Sequence, residues 1–405
     1  MNVLFLSLID FDKFEDRNIY CDLLREFIKD GHNVYCISPV ERKKKRKTEV
    51  VHFGNSCILK LRIGNTQKVN FVEKGISTIL IEYLFIRGIK KHFSNVKFDL
   101  ILYVTPPVTF AKVIQFVRKR DSSKCYLMLK DIFPQNSLDL GILSEHGIKG
   151  LIYRFFRSKE KMLYELSDRI GCTSEANINY ILKHNESIPS SKVDFCANSI
   201  DPRDLKLSEQ EKRDIRKEYN LPTDKRLFIY GGNLGVPQDV PFIISCLKAC
   251  EPIDKAFFVI AGSGTDRHYI EDYIKNSKPT NVKLLGMLPK EEYDKMIACC
   301  DVGLIFLNYK FTVPNTPSRL LSYCQAHLPT IACVDNATDV GMICEENHFG
   351  WKCKSNDTQG FVDIIKKTLE CDCSAIGDQA YKFMVETYSS KRAYKTIIDF
   401  MNKQR

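Results

Sequence analysis

Residues 226–238 read RLFIYGGNLGVPQ: an apolar, aromatic run, then a glycine-rich turn, with an amphipathic helix pattern following over 240–250. A strand without polar alternation is one buried on both faces, as in a parallel sheet covered by helices. Glycines between such a strand and a helix let the backbone approach a phosphate, with the helix N–H groups behind it. A plain structural turn is the competing reading. The turn is not a P-loop, because no Gly-Lys-Ser/Thr follows, and the third glycine of the dinucleotide fingerprint is missing.

Outward from this turn the same grammar repeats. Strand patterns fall at 2–8, 33–38, 98–104, 125–130, 169–173 and 193–197, and again at 226–230, 256–261, 282–285, 302–307 and 330–334, with helix patterns between them. This alternation predicts an α/β protein of two doubly wound, Rossmann-like domains facing across a cleft, because open parallel sheets bind ligands at the carboxyl ends of their strands. The predicted domains are 1–202 and 203–380, with a helix in 381–405 packing back on the first. A length of 405 residues suits two or three domains.

The net charge is +10 and sits entirely in one half. Residues 1–200 hold 32 Lys and Arg against 22 Asp and Glu, whereas residues 201–405 hold 28 of each. The excess concentrates in Arg42-Lys43-Lys44-Lys45-Arg46-Lys47, in Arg87, Lys90 and Lys91, and in Arg118-Lys119-Arg120 with Lys124. Solvated loops and helix ends account for such clusters, and so does an anionic membrane surface. Nucleic acid is disfavoured, since no zinc finger, helix-turn-helix or RNP signature is present. The segment KGISTILIEYLFIRGIKKHFS, 74–94, reads either as a core helix or as an interfacial helix with its apolar side in lipid. No apolar run reaches bilayer length, and the first residues read as a strand and not as a secretion signal. The sixteen cysteines are scattered singly, which predicts reduced, buried thiols and no structural metal. Asp10-Phe11-Asp12 reads as a mobile acidic loop.

Further motifs line up behind the first. Strand 256–261 ends in Gly262-Ser263-Gly264, so a nucleotide would lie across two adjacent strand tips; Leu285-Gly286-Met287-Leu288-Pro289 follows. Then Asn315-Thr316-Pro317-Ser318-Arg319 starts a helix through Ser322, with Ser318 and Arg319 in its first turn. In this order the C-terminal half resembles the nucleotide-sugar domain of GT-B glycosyltransferases, especially glycosyltransferase family 4. The first half agrees: Gly31-His32-Asn33-Val34, Phe98-Asp99-Leu100-Ile101 with Pro106-Pro107, Lys130-Asp131-Ile132-Phe133-Pro134-Gln135, and Cys196-Ala197-Asn198-Ser199-Ile200-Asp201 are similar to family segments, the third to bacterial surface-polysaccharide transferases.

The resemblance implies a donor diphosphate on the backbone of Gly231, Gly232, Asn233, Leu234 and Gly235 with Gln238, Gly262 and Gly264 nearby, a base beside Met287 and Leu288, and ribose and sugar near Asn315, Ser318 and Ser322. It implies sugar transfer from a nucleoside diphosphate, UDP above all, with retention and without metal or cofactor. The acceptor would be a lipid-diphosphate-linked saccharide at the inner face of the cytoplasmic membrane. The uncharged Pro314 and Ser322 would suit a moved sugar with fewer free hydroxyls, an N-acetylated hexosamine or deoxyhexosamine. The family's Arg and Lys after the glycine turn are replaced by Asn233 and Gln238, and its two glutamates before Pro329 by Pro314 and Ser322. Arg319 is therefore expected to supply the missing charge. On the acceptor side, Asp131 at a strand tip could take or orient a hydroxyl proton, with a helix cap or turn-former as the other reading; Thr105, Thr109 and Lys130 are further acceptor-side candidates. A non-hydrolysing nucleotide-sugar epimerase and a degenerate sugar-nucleotide-binding scaffold are the alternatives.

Overall fold

The computed structural model describes residues 1–66 and 71–403. Met1–Asp201 and the final helix form one compact unit, and Pro202–Ser389 form the other.

The first unit holds β1 (Asn2–Leu6), β2 (Asn33–Glu41), β3 (Glu49–Phe53), β4 (Ser56–Ile63), β5 (Leu100–Thr105), β6 (Lys124–Leu129), β7 (Arg169–Cys172) and β8 (Val193–Phe195). They form one sheet ordered β3-β4-β2-β1-β5-β6-β7-β8, parallel except for the β3–β4 hairpin. Its helices are α1 (Ile19–Lys29), α2 (Phe71–His92), α3 (Ala111–Asp121), α4 (Gln135–Asp139), α5 (Gly147–Leu166) and α6 (Glu175–His184). In the second unit, α7 (Glu209–Glu218) opens with a Ser208–Glu211 capping box. The strands β9 (Arg226–Asn233), β10 (Ala256–Ser263), β11 (Val282–Leu285), β12 (Val302–Phe306), β13 (Thr330–Val334) and β14 (Gly350–Lys354) make an all-parallel sheet ordered β11-β10-β9-β12-β13-β14. Around it lie α8 (Val240–Ala249), α9 (Arg267–Ser277), α10 (Lys290–Ala298), α11 (Arg319–Gln325), α12 (Val340–Glu346), α13 (Thr358–Glu370) and α14 (Cys373–Thr387), and α15 (Ser390–Asn402) closes the chain on the first unit.

Among the described residues each unit has a core of its own. In the first, Phe5, Leu24, Phe27 and Leu102 pack with Ile397 and Phe400 of α15; in the second, Phe228, Phe258 and Phe306 pack with Phe242 and Phe361. The segment that joins the first unit starts at Ser390 and not at 381. The reason is α14: a Cβ on its Gly377 would strike the His327 carbonyl, so this helix lies directly on the backbone of the second unit. Gln404 and Arg405, the end of the expected final segment, lie outside the described residues. All sixteen cysteines are free thiols, and only Cys371 is not buried.

Strand order places the candidate sites. β9 has β10 on one side and β12 on the other, and β1 has β2 on one side and β5 on the other. Each is the point where the winding reverses direction, and the carboxyl ends of these strands leave a crevice for a ligand.

Candidate functional site

The turn after β9 is built from contacts that only glycine permits. The Gly231 N–H donates to Tyr323 Oη (3.1 Å), whose hydroxyl donates to the Leu304 carbonyl (3.0 Å), and the Tyr293 hydroxyl occupies the place a Cβ would take. Gly232 has φ +131°, a conformation L side chains rarely adopt, and its missing Cβ would lie 3.3 Å from Arg319 Nη2. The next strand tip is stitched to this one, since Asn308 donates from its backbone N–H to the Pro237 carbonyl and from Nδ2 to Val236 (both 2.9 Å).

Asn233 and Gln238, which stand where the resemblance would put cations, bind each other: Asn233 Nδ2 donates to Gln238 Oε1 at 2.8 Å. Gly262 and Gly264 have a structural reason to be glycine. A Cβ at either would run into the carbonyl of Gly232 or Leu234, so the close packing of β10 against β9 by itself requires glycine at both positions. Leu234 is buried, and its N–H donates to the Ser263 carbonyl at 2.9 Å, so its expected diphosphate contact is not free. Gly235 is buried: a Cβ there would approach Asn233 Nδ2 and Thr265 Oγ1, and its carbonyl accepts from the Gln238 N–H (2.9 Å), whereas Gly232 and Asn233 are exposed.

Arg319 is the first residue of α11. Its guanidinium carbon stands 4.5 Å from the centroid of the Tyr230 ring, and its buried Nη1 has no hydrogen-bond partner. No carboxylate pairs with it among the described residues. Its neighbours are phenols: Tyr230, Tyr293 and Tyr323 all interact with its charge. Burial pushes the Tyr293 phenol up to about 12 and the Tyr230 and Tyr323 phenols above their usual range, so all three stay protonated and neutral. A buried cation without an anion, facing a glycine backbone, can grip phosphate oxygens. Sequence reasoning missed these three tyrosines, because a single Tyr on a buried strand (Tyr230) or on a helix (Tyr293, Tyr323) is indistinguishable from core.

The remaining donor-side candidates are spread along the same strand ends. Met287 is 76% exposed and Leu288 half-buried, beyond the end of β11. Ser318 is the exposed N-cap of α11, with no capping hydrogen bond from its side chain, and Ser322 lies one turn on from Arg319. Asn315 turns inward: its Nδ2 donates to the Val313 carbonyl (2.9 Å) and its N–H to Thr338 Oγ1 (3.1 Å).

In the first unit, Asp131 follows the carboxyl end of β6. Its carboxylate has no hydrogen bond or ion pair among the described residues, and burial raises its pKa above the ordinary value. The Tyr20 phenol is raised by burial and by the charge of Asp131. Thr105 and Thr109 each bury a hydroxyl without a partner. The Lys130 ammonium, its pKa lowered by burial, donates to the Ala197 carbonyl (3.4 Å). Of these polar groups near the strand tips, the Thr105 and Thr109 hydroxyls are buried without a hydrogen bond, whereas Lys130 is held by a backbone carbonyl.

Two expectations about charge are corrected. The 42–47 cluster is mostly neutralised: Arg42 pairs with Glu73 (3.2 Å), Lys43 with Glu41 (2.5 Å), Lys44 with Asp10 (2.6 Å), and Arg46 with Asp12 (2.6 Å) and Glu49 (3.0 Å). The Asp10-Phe11-Asp12 loop is pinned, because the fully buried Lys60 pairs with Asp10 and with Asp12 (3.0 Å) and donates to the Phe11 carbonyl (2.7 Å). Burial alone would push the Asp10 carboxyl up, but Lys44 and Lys60 outweigh it and hold it below the ordinary value.

Two Rossmann-like domains of this kind are the GT-B fold of glycosyltransferases. Residues 211–401 match the family model for Glycosyl transferases group 1; this part of the chain is a group 1 domain, and the chain is a glycosyltransferase. It is 25% identical to the probable glycosyltransferase WbjE of Pseudomonas aeruginosa over 329 residues, 80% of this chain and 79% of that protein. It is 21% identical to WcaI of Escherichia coli K12, a putative colanic acid biosynthesis glycosyl transferase, over 253 residues, 61% of this chain and 60% of that protein. HepE of Anabaena, solved in complex with UDP and glucose, superposes with a TM-score of 0.70 at 14% identity, covering 100% of both chains. No helix among the described residues is long and apolar enough to cross a membrane.

Proposed function

We propose that this glycosyltransferase moves a sugar, an N-acetylated hexosamine or deoxyhexosamine, from UDP to a lipid-diphosphate-linked saccharide in bacterial surface polysaccharide synthesis, at the inner face of the cytoplasmic membrane. The observation that carries the donor reading is Arg319, a guanidinium with a buried, unpartnered Nη1 beside the Gly232 backbone. The UDP complex of HepE, a structural neighbour, supports that nucleotide, and the colanic acid assignment of WcaI supports the pathway.

In this reading the diphosphate lies on the exposed backbone of Gly232 and Asn233 with Gly235 behind it, the base reaches Met287 and Leu288, and ribose and sugar lie toward Ser318 and Ser322. The bond from the anomeric carbon to the β-phosphate oxygen breaks, and Arg319 meets the charge developing on that oxygen. The acceptor oxygen bonds to the same carbon with retention. Its proton is oriented by Asp131 and leaves on the departing phosphate or on that carboxylate. Thr105, Thr109 and Lys130 offer hydrogen bonds to the acceptor. Because the guanidinium supplies the positive charge, chelation by EDTA is expected to leave turnover unchanged.

A thermal-shift screen of the purified chain against UDP-, GDP- and dTDP-sugars tests the donor, since a ligand of the folded state raises Tm by mass action. UDP-sugars raising Tm in the wild type and not in Arg319→Ala is the expected result; an unchanged response in that variant overturns the role of Arg319. Incubating a responding donor with lipid-diphosphate saccharide then separates transfer from epimerisation or mere binding, and NMR of the new linkage reads its anomeric outcome.

A further inference from the structure

The surface of the first unit carries an apolar face that the donor and acceptor sites do not use. Between Ile76 and Lys91, α2 exposes seven side chains: Ile76, Ile79, Leu80 and Tyr83, then Arg87, Lys90 and Lys91. At 100° per residue all seven fall within an arc of about 120°. The arc is apolar at the start of the helix and cationic at its end, and no exposed carboxylate interrupts it. Ile79 is 65% exposed and Tyr83 60%.

A second helix repeats the composition. From Ile148 to Lys161, α5 exposes Ile148, Leu151 and Phe155 along one stripe, flanked by Lys149, Arg154 and Lys161, again without an exposed carboxylate. The two helices are joined by the Lys159–Glu82 ion pair (3.3 Å), in which Lys159 also lies over the Phe155 ring (5.9 Å) and Glu82 precedes Tyr83. Both helices run back from the carboxyl end of the parallel sheet, so the apolar starts of both lie at the end of the unit where Thr105 and Asp131 stand.

We infer that this face docks on an anionic lipid bilayer. A protein partner of ordinary surface would bring carboxylates to match the cations and leave the apolar tips wet. A bilayer matches both: acyl chains take the isoleucines, leucines and aromatic rings, and phosphates take the lysines and arginines, which reach headgroups along their aliphatic stems. The spacing agrees. Arg87 and Lys91 lie about 6 and 12 Å along the axis from Tyr83, so a tip immersed by the 5–10 Å usual for interfacial helices leaves the cations level with headgroups. The cluster at 42–47, four of whose six cations pair with acids, is not the contact. On the proposed function, this orientation delivers a lipid-linked acceptor to the strand tips of the first unit.

Flotation of the full chain with phosphatidylcholine vesicles, with and without phosphatidylglycerol, tests this. The wild type is expected to float with the anionic vesicles and to bind the neutral ones more weakly. Ile79→Glu with Leu151→Glu is expected to lower the partition at least about ten-fold, and Arg87→Gln with Lys91→Gln a few-fold, with the Tm of each unchanged. Lys44→Gln with Arg46→Gln should bind like the wild type. Absence of wild-type binding overturns the inference, as does undiminished binding by the Ile79/Leu151 variant. A wild-type dimer that this variant converts to a monomer also overturns it, by showing that a second copy covers the face. The UDP-sugar thermal shift is read separately: vesicle binding without donor binding would sink the proposed function and leave the docking face standing, and the converse holds.

Discussion

The Arg319 guanidinium lies 4.5 Å from the centre of the Tyr230 ring and beside the backbone of Gly232, and no carboxylate among the described residues pairs with it. A buried cation is costly unless paired. Here the protein offers only a ring face and neutral phenols, so the charge stays available to a ligand.

Arg319→Ala is expected to reduce kcat by about 10²–10³, the range seen when one group aimed at developing charge is removed. Arg319→Lys should recover little, since a point charge does not reproduce a two-pronged grip. Steady-state transfer rates with unchanged circular dichroism check this.

The glycines separate by role. Gly232→Ala forces a side chain into a left-handed conformation, costing about 1–3 kcal/mol, and crowds the guanidinium, so donor affinity falls together with stability. Gly264→Ala meets backbone and not a side chain. Its main effect is therefore on stability, about 1–3 kcal/mol for overpacking. Urea unfolding and donor titration of the two variants distinguish them.

Asp131→Asn should lower transfer by about 10²–10⁴ while raising Tm at neutral pH. The sign follows from burial, which raises the folded-state pKa. Keeping the carboxylate charged then costs stability. In the wild type that cost is absent below the unfolded value of about 3.9, grows as pH rises through the raised folded value, and is complete above it. The amide variant never incurs it, so the stability difference between the two proteins should vanish in acid. Equal Tm values across pH would contradict a buried, unpaired Asp131.

Lys60→Ala removes the buried cation that pins Asp10, Asp12 and the Phe11 carbonyl and should lower stability, by less than the about 3–5 kcal/mol of an uncompensated buried charge, because Lys44 and Arg46 still pair the two acids. The Asp10 pKa is lowered in the folded protein. Its stabilising share is therefore present above about pH 3.9 and is lost as pH falls through the folded value. Urea midpoints of wild type and variant should converge in acid.

Legibility followed burial. The central strands of both sheets read clearly from sequence because both faces are covered and their residues are continuously apolar, as in Leu100–Thr105 and Val302–Phe306. Three strands did not. β3 is an edge strand of mixed exposure, β4 carries Lys60 in mid-run, and β14 alternates buried and exposed residues with lysines outward. A charged residue breaks an apolar pattern even when, like Lys60, it is fully buried against acids from a distant loop.

By itself the sequence determined the alternation of strand and helix, the division into two parallel sheets, and which turns carry glycine, because hydrophobic period and backbone freedom are properties of neighbouring residues. Only the tertiary structure decided which glycines are consumed by packing, which basic residues are cancelled by acids, and that Arg319 should meet Gly232 among three tyrosines. Those outcomes depend on contacts closed across tens of residues, where a side chain's charge and partners are set by whatever the fold brings beside it.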